Sequence, residues 1–141
     1  MTHVLDFWDA PNTSASAPAP VRRDRGRRAY NSGLAAEERA VALYNAAGLR
    51  LLETRWRGKS GEIDLILADG DEIVFAEVKQ ARTHDAAIAS LRPAQMRRIH
   101  AAGSEYLAYC PKGQLTDVRF DLAVVDGAGR CDILEGLFSH F

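Results

Sequence analysis

The chain of 141 residues has only two cysteines, Cys110 and Cys131, and no apolar run that approaches the length of a membrane span. The two thiols match no zinc spacing. They are expected as reduced, packed side chains of a cytoplasmic protein, not as a disulfide framework or a structural metal site. The first residues do not run from a cationic region into an apolar one, so no secretory signal is expected. Charge of one sign is also missing: 18 Lys and Arg stand against 19 Asp and Glu, a formal net charge of −1. Any binding to nucleic acid must therefore come from a local basic patch. The four histidines, His3, His84, His100 and His140, are scattered without ligand spacing. Ser60, Ser90 and Ser104 have no evident base partner, which argues against a serine nucleophile. No internal repeat is visible.

What is present is ordinary for a globular domain, with 47% hydrophobic and 26% charged residues. The length suits one domain with one core. Residues Pro11 to Pro20 are Pro, Ala, Ser, Thr and Asn, a composition that cannot bury a core and is expected to be disordered. Leu5, Phe7 and Trp8 before it form either a loose piece or a docking peptide. The run Arg22-Arg23-Asp24-Arg25-Gly26-Arg27-Arg28 is either a solvated tail or a basic arm for a nucleic-acid backbone. Residues 1–31 thus read as an extension and residues 32–141 as the folded domain.

Within the domain, Gly33 to Ala47 reads as a helix, with Leu34, Val41 and Tyr44 at roughly helical spacing and Gly48 as its stop. Leu49 to Arg57, Glu62 to Ala68 and Glu72 to Lys79 read as strands. Gln80 to Ser90 reads as a loop. Leu91 to Tyr109 reads as a second helix with Pro93 in its first turn. Asp117 to Val125 and Cys131 to Leu137 read as two more strands. The class is α/β, in the order α-β-β-β-α-β-β, with a mixed central sheet flanked by helices.

The second and third strands carry the chemistry. Alternate strand residues share a face. A two-residue loop at Asp69-Gly70-Asp71 sets Asp64 either directly opposite Glu77 or opposite Phe75, diagonal to Glu77. In both registers Asp64, Glu77 and Lys79 share one face. Both rows of both strands are otherwise apolar, so the strands are expected to be central and covered on both sides. Two close carboxylates repel each other, and burial penalises each. A divalent cation between them relieves both penalties, and hard oxygen ligands of this kind suit Mg²⁺ or Mn²⁺. The plainer alternative is a same-face ion pair of Glu77 with Lys79 and a solvated Asp64. Around this centre stand Arg55, Arg57 and Lys59 before the second strand, and Arg92, Arg97 and Arg98 on the second helix. Arg57 and Lys59 are the better placed for backbone contact, while alternation turns Trp56 toward the core.

The segments Gly61-Glu62-Ile63-Asp64-Leu65-Ile66 and Phe75-Ala76-Glu77-Val78-Lys79 resemble the signature of the bacterial YraN-like family. That uncharacterised group is similar to archaeal Holliday-junction resolvases and is assigned to the PD-(D/E)XK nuclease superfamily. Gly33-x-x-x-Glu37-x-x-Ala40 and Arg119-Phe120-Asp121 also match, and the resemblance covers roughly Ser32 to Leu137. It implies a restriction-endonuclease-like core and metal-dependent cleavage of DNA, with branched DNA and a two-fold dimer as the natural extension. Asp64 and Glu77 would bind the metal, with the backbone carbonyl of Val78 as a further ligand. Lys79 would orient the attacking water or stabilise charge on the phosphate. Glu37 would reach in from the first helix and hold a metal-bound water. Two positions depart from the pattern. Ala81 stands where the family usually has an arginine, with Arg82 one residue further on, and Gln95 stands where it usually has a lysine. These departures touch the expected substrate contacts, Arg57, Lys59, Arg82 and Gln95, and leave the four-residue centre intact.

Overall fold

The computed structural model describes residues 23–141. The expectations for Pro11 to Pro20 and for Leu5, Phe7 and Trp8 lie outside the described residues. Helix α1 spans Arg23–Ala46, followed by strands β1 (Arg50–Arg57), β2 (Glu62–Asp69) and β3 (Glu72–Gln80). Helices α2 (His84–Ser90) and α3 (Pro93–Leu107) come next, then a short 3₁₀ turn at Gly113–Leu115 and strands β4 (Val118–Val125) and β5 (Cys131–Leu134). The five strands form one open sheet in the order β1-β2-β3-β4-β5. All neighbours are antiparallel except β3 and β4, which are parallel and joined through α2 and α3.

The two faces of the sheet carry separate apolar clusters. Ala40, Val41 and Tyr44 of α1 pack on Leu51, Leu65, Leu67, Val74, Ala76 and Ala123. Ile99, Ala102 and Leu107 of α3 pack on Ile66, Phe75, Phe120 and Leu122. β2 and β3 are therefore covered on both sides, as their doubly apolar rows imply. Gly103 brings α3 close, because a Cβ there would stand 3.1 Å from the Phe75 ring and 3.3 Å from the Phe120 ring.

Local chemistry sets most of the element ends. Gly48 takes φ +93°, and the Leu49 N–H donates to the Tyr44 carbonyl at 3.0 Å, so α1 stops on a glycine cap. Pro93 opens α3 and keeps Arg92 extended.

Three expectations need correction. α1 begins at Arg23, ten residues before the helix start read at Gly33; alanine and arginine are good helix formers, and the run has no proline to stop it. The loop expected at Gln80 to Ser90 contains α2, whose Thr83 side chain caps it by accepting from the Ala86 N–H at 3.0 Å. The last strand ends at Leu134, because Gly136 takes φ +67° and donates its N–H to Asp121 Oδ1 at 2.8 Å.

Asp121 ties these parts together. It is fully buried on β4 and accepts from the Tyr44 hydroxyl at 2.6 Å, from Arg119 Nε at 2.9 Å and Nη2 at 3.0 Å, and from Gly136. One carboxylate thus joins α1, β4 and the turn after β5, with its charge paired and its lone pairs used. Burial, then the Asp121 carboxylate, push the Tyr44 hydroxyl far up, so it stays a donor at every working pH. Replacing Asp121 by Ala strands the buried Tyr44 hydroxyl and removes the shortest of the ion pairs that Arg119 makes. The expected loss, read by urea unfolding, is about 3–5 kcal/mol. A loss below about 1 kcal/mol would contradict this role.

Candidate functional site

The hairpin register decides the site. Asp69 pairs with Glu72, so the loop is Gly70-Asp71, and the ladder runs back to Leu65 opposite Ala76. Of the two registers that a two-residue loop allows, this is the one that sets Asp64 opposite Glu77. The β2–β3 ladder stops just before that pair, while β3 keeps pairing with β4 as far as Gln80. The strands part there, and Asp64 Oδ2 accepts from the Val78 N–H at 2.9 Å. A side chain thus satisfies a strand amide at the point where the β2–β3 ladder has ended.

The rest of the centre closes around Glu77. Glu77 is buried, and its Oε2 accepts from Gln95 Nε2 at 2.7 Å. Lys79 Nζ lies 3.6 Å from the same oxygen and donates to Gln95 Oε1 at 3.1 Å. The Gln95 amide therefore bridges the carboxylate and the ammonium from α3. The Asp64 and Glu77 carboxyls face each other closely enough for the charge of Asp64 to press on Glu77, a repulsion that a proton or another cation relieves. Burial, then the Asp64 charge, push Glu77 up to about 8 against the pull of Lys79. Burial likewise raises Asp64, offset in part by the Val78 N–H.

Glu37 stands beside this pair on α1, also buried, and is raised to about 7 by burial and by Asp64. Its two oxygens accept from Arg55 Nε at 3.2 and 3.4 Å. Arg55 is the one non-glycine with positive φ among the described residues, at +50°. The β1–β2 ladder pairs Thr54 with Leu65 and Trp56 with Ile63 but skips Arg55 and Asp64 between them. The register is the same on both sides of that gap, and there the guanidinium reaches Glu37 of α1. Trp56 points to the other face and packs edge-on against Tyr106 at 5.3 Å, as alternation implies.

The structure brings Asp64, Glu77 and Lys79 together, with Glu37 close by. Among the described residues, no group of three or more His, Cys, Asp or Glu side chains is arranged to hold a metal ion. The centre is a pair of carboxylates plus a third held by an arginine. Two hard oxygen donors, short of one positive charge, fit a divalent cation that keeps several waters.

The expected substrate contacts divide. Arg57 is exposed and pairs loosely with Glu62 at 3.5 Å. Lys59 is exposed on a loop that Glu105 of α3 holds: the Lys59 N–H donates to Oε1 at 2.7 Å and the Ser60 N–H to Oε2 at 2.9 Å. The Ser60 hydroxyl, then the Lys59 N–H, hold Glu105 below the usual carboxylate range. Gly58 is needed there, since a Cβ would stand 2.5 Å from Glu105 Oε1. Arg82 lines a 250 Å³ cavity with His84, Arg130 and Asp132, and neither Asp64 nor Glu77 lines it. His84 pairs with Asp132 at 2.7 Å, and His100 stacks on Phe120 in the core.

Three residues escape a reading by spacing: Arg55, Gln95 as a bridge, and Glu105. Only Gln95 left a sequence signal, as a departure from the resembled pattern. Arg55 depends on a backbone conformation and Glu105 on a contact between distant segments.

A mixed α/β domain with an acidic pair and a lysine where two sheet strands part is the class that this fold and site define. The model of the family described as "Uncharacterised protein family UPF0102" matches residues 36–125. A UPF0102 protein of Ruegeria pomeroyi is 52% identical over 116 residues, which cover 82% of this chain and 94% of that protein. One from Cereibacter sphaeroides is 48% identical over 114 residues, covering 81% and 97%. One from Roseobacter denitrificans is 43% identical over 130 residues, covering 92% and 96%. The chain belongs to the UPF0102 family, the YraN-like group that its signature resembles. Among the described residues, no helix is long and apolar enough to cross a membrane.

The acidic pair makes stability depend on pH. Glu77 binds its proton more tightly folded, at about 8, than at its ordinary 4.5. Between those values the folded chain holds more protons than the unfolded chain, so unfolding free energy falls as pH rises. In chelator, Tm should drop from pH 5 to pH 8. Glu77→Gln should flatten that drop, and Mn²⁺ should raise wild-type Tm more at pH 8 than at pH 5. An equal slope in the variant would contradict this origin.

Proposed function

We propose that this chain is a divalent-metal-dependent endonuclease that hydrolyses phosphodiester bonds of DNA, on a restriction-endonuclease-like core of the PD-(D/E)XK nuclease superfamily. The observation that carries the reading is the Asp64–Glu77 pair, opposite in register, with Glu77 buried and Lys79 beside it. Such a pair in a low-dielectric face is costly and makes sense as a cation site.

Asp64 and Glu77 bind Mg²⁺ or Mn²⁺, the Val78 carbonyl adds a ligand, and Glu37 contributes through water. The bound cation supplies a lower pKa for water and neutralises charge on the phosphate. Lys79 sets a fixed positive charge beside the scissile phosphate, where charge develops. Gln95 orients Glu77 and Lys79 together by holding one with its N–H and the other with its oxygen. Arg57 at the end of β1 and Lys59 on the loop after it supply exposed positive charge for the DNA backbone. The likeness of the resembled family to junction resolvases favours branched DNA, cut by a two-fold dimer. The free thiols of Cys110 and Cys131 suit the cytoplasm.

Two observations favour a second reading, a DNA-binding module with little turnover. Gln95 occupies both Glu77 and Lys79, and Ala81 packs against the core in place of a basic residue.

Labelled duplex, single-stranded, flap and four-way-junction DNA, incubated with Mg²⁺, Mn²⁺ or chelator, separate the two. Metal-dependent cleavage is expected, falling roughly 10²-fold or more in Lys79→Ala. Binding without cleavage in every metal condition would replace the first reading by the second.

A further inference from the structure

We infer that Arg55 is a positioning residue that withholds Glu37 from direct metal ligation, so that the acidic centre takes one divalent cation and not two. This rests on the reading of Asp64 and Glu77 as metal ligands.

Glu37 is the third acid of the neighbourhood and lies near enough to Asp64 for their charges to repel. It is only 8% exposed, so it has little solvent to turn to. A third carboxylate beside a buried pair would create the donor set that two-ion phosphodiester enzymes use, with ions roughly 3.5–4 Å apart. Here both oxygens of Glu37 instead face Arg55 Nε, at 3.2 and 3.4 Å. The guanidinium keeps its charge at any working pH, so it is a standing counter-ion.

The backbone is shaped for this contact. Arg55 sits at φ +50°, a conformation that side-chain-bearing residues rarely adopt, and the β1–β2 pairing is interrupted at that residue. Such a conformation persists where the surroundings over-determine it, and it clusters at functional sites. The interruption falls opposite Asp64, and there the Arg55 side chain reaches Glu37 of α1. Consistently, no three acids among the described residues are arranged around a common metal position. The arginine side chain is 32% exposed, so it sits at the rim of the centre and not deep in the core.

The test is the number of Mn²⁺ ions bound per full chain, read by titration with the electron paramagnetic resonance of free Mn²⁺. Wild type should bind one. Arg55→Gln should bind two, and Arg55→Gln with Glu37→Gln should return to one. Glu37→Gln in the otherwise unchanged chain should also bind one. Two ions in wild type overturn the inference whether or not the Arg55 variant folds. So does a folded Arg55→Gln that still binds one, or a Glu37→Gln chain that binds none. No Mn²⁺ in wild type instead overturns the reading of Asp64 and Glu77 as ligands, and the inference falls with it.

Discussion

Two carboxylates facing each other at the end of a ladder, inside a sheet with apolar layers on both sides, are the constraint on which the rest of the site depends. The Gly70-Asp71 turn sets the register, and the register sets Asp64 against Glu77. The two apolar clusters remove the solvent that would otherwise screen them. With water excluded, one negative charge too many must be met by a proton, a cation or a nearby positive side chain. Two cations and two amides meet these carboxylates. Lys79 and the Gln95 amide attend Glu77, the Val78 amide attends Asp64, and Arg55 attends Glu37.

Elsewhere the same rule is met without a surplus. Asp121 is more deeply buried than Asp64, yet Tyr44, Arg119 and Gly136 use its lone pairs and its charge. Glu105 is met by two amides and a hydroxyl of the β1–β2 loop. Those carboxylates are structural: one joins α1 to β4 and β5, the other holds the loop that carries Lys59. Asp64 and Glu77 differ because two carboxylates stand opposite each other with one lysine beside them. That difference separates a candidate catalytic centre from a buried hydrogen-bond network, and it is what burial alone does not distinguish.

Much of this was legible in the sequence, and the boundary has physical causes. Alternation along β2 and β3 depends on local geometry, so the shared face of Asp64, Glu77 and Lys79 followed from spacing and one turn. The glycine stop of α1 and the proline start of α3 are equally local. α2 was not legible, because seven residues with one buried alanine give no periodicity, and its Thr83 cap looks like any loop threonine. Arg55 was visible only as one of several arginines near the signature. Its partner depends on a left-handed backbone that no side-chain pattern announces. Gln95 and Glu105 act across 18 and about 45 residues of chain, where only the packing of α3 on the sheet brings the partners together.

The central claim is that Asp64 and Glu77 hold a divalent cation between them. The most direct measurement is an anomalous difference map from a crystal soaked in Mn²⁺. The account predicts a peak between the two carboxylates, within roughly 2.0–2.3 Å of an oxygen of each, with Glu37 still on Arg55. A map without a peak there, in a crystal whose Asp64 and Glu77 still face each other, would contradict it.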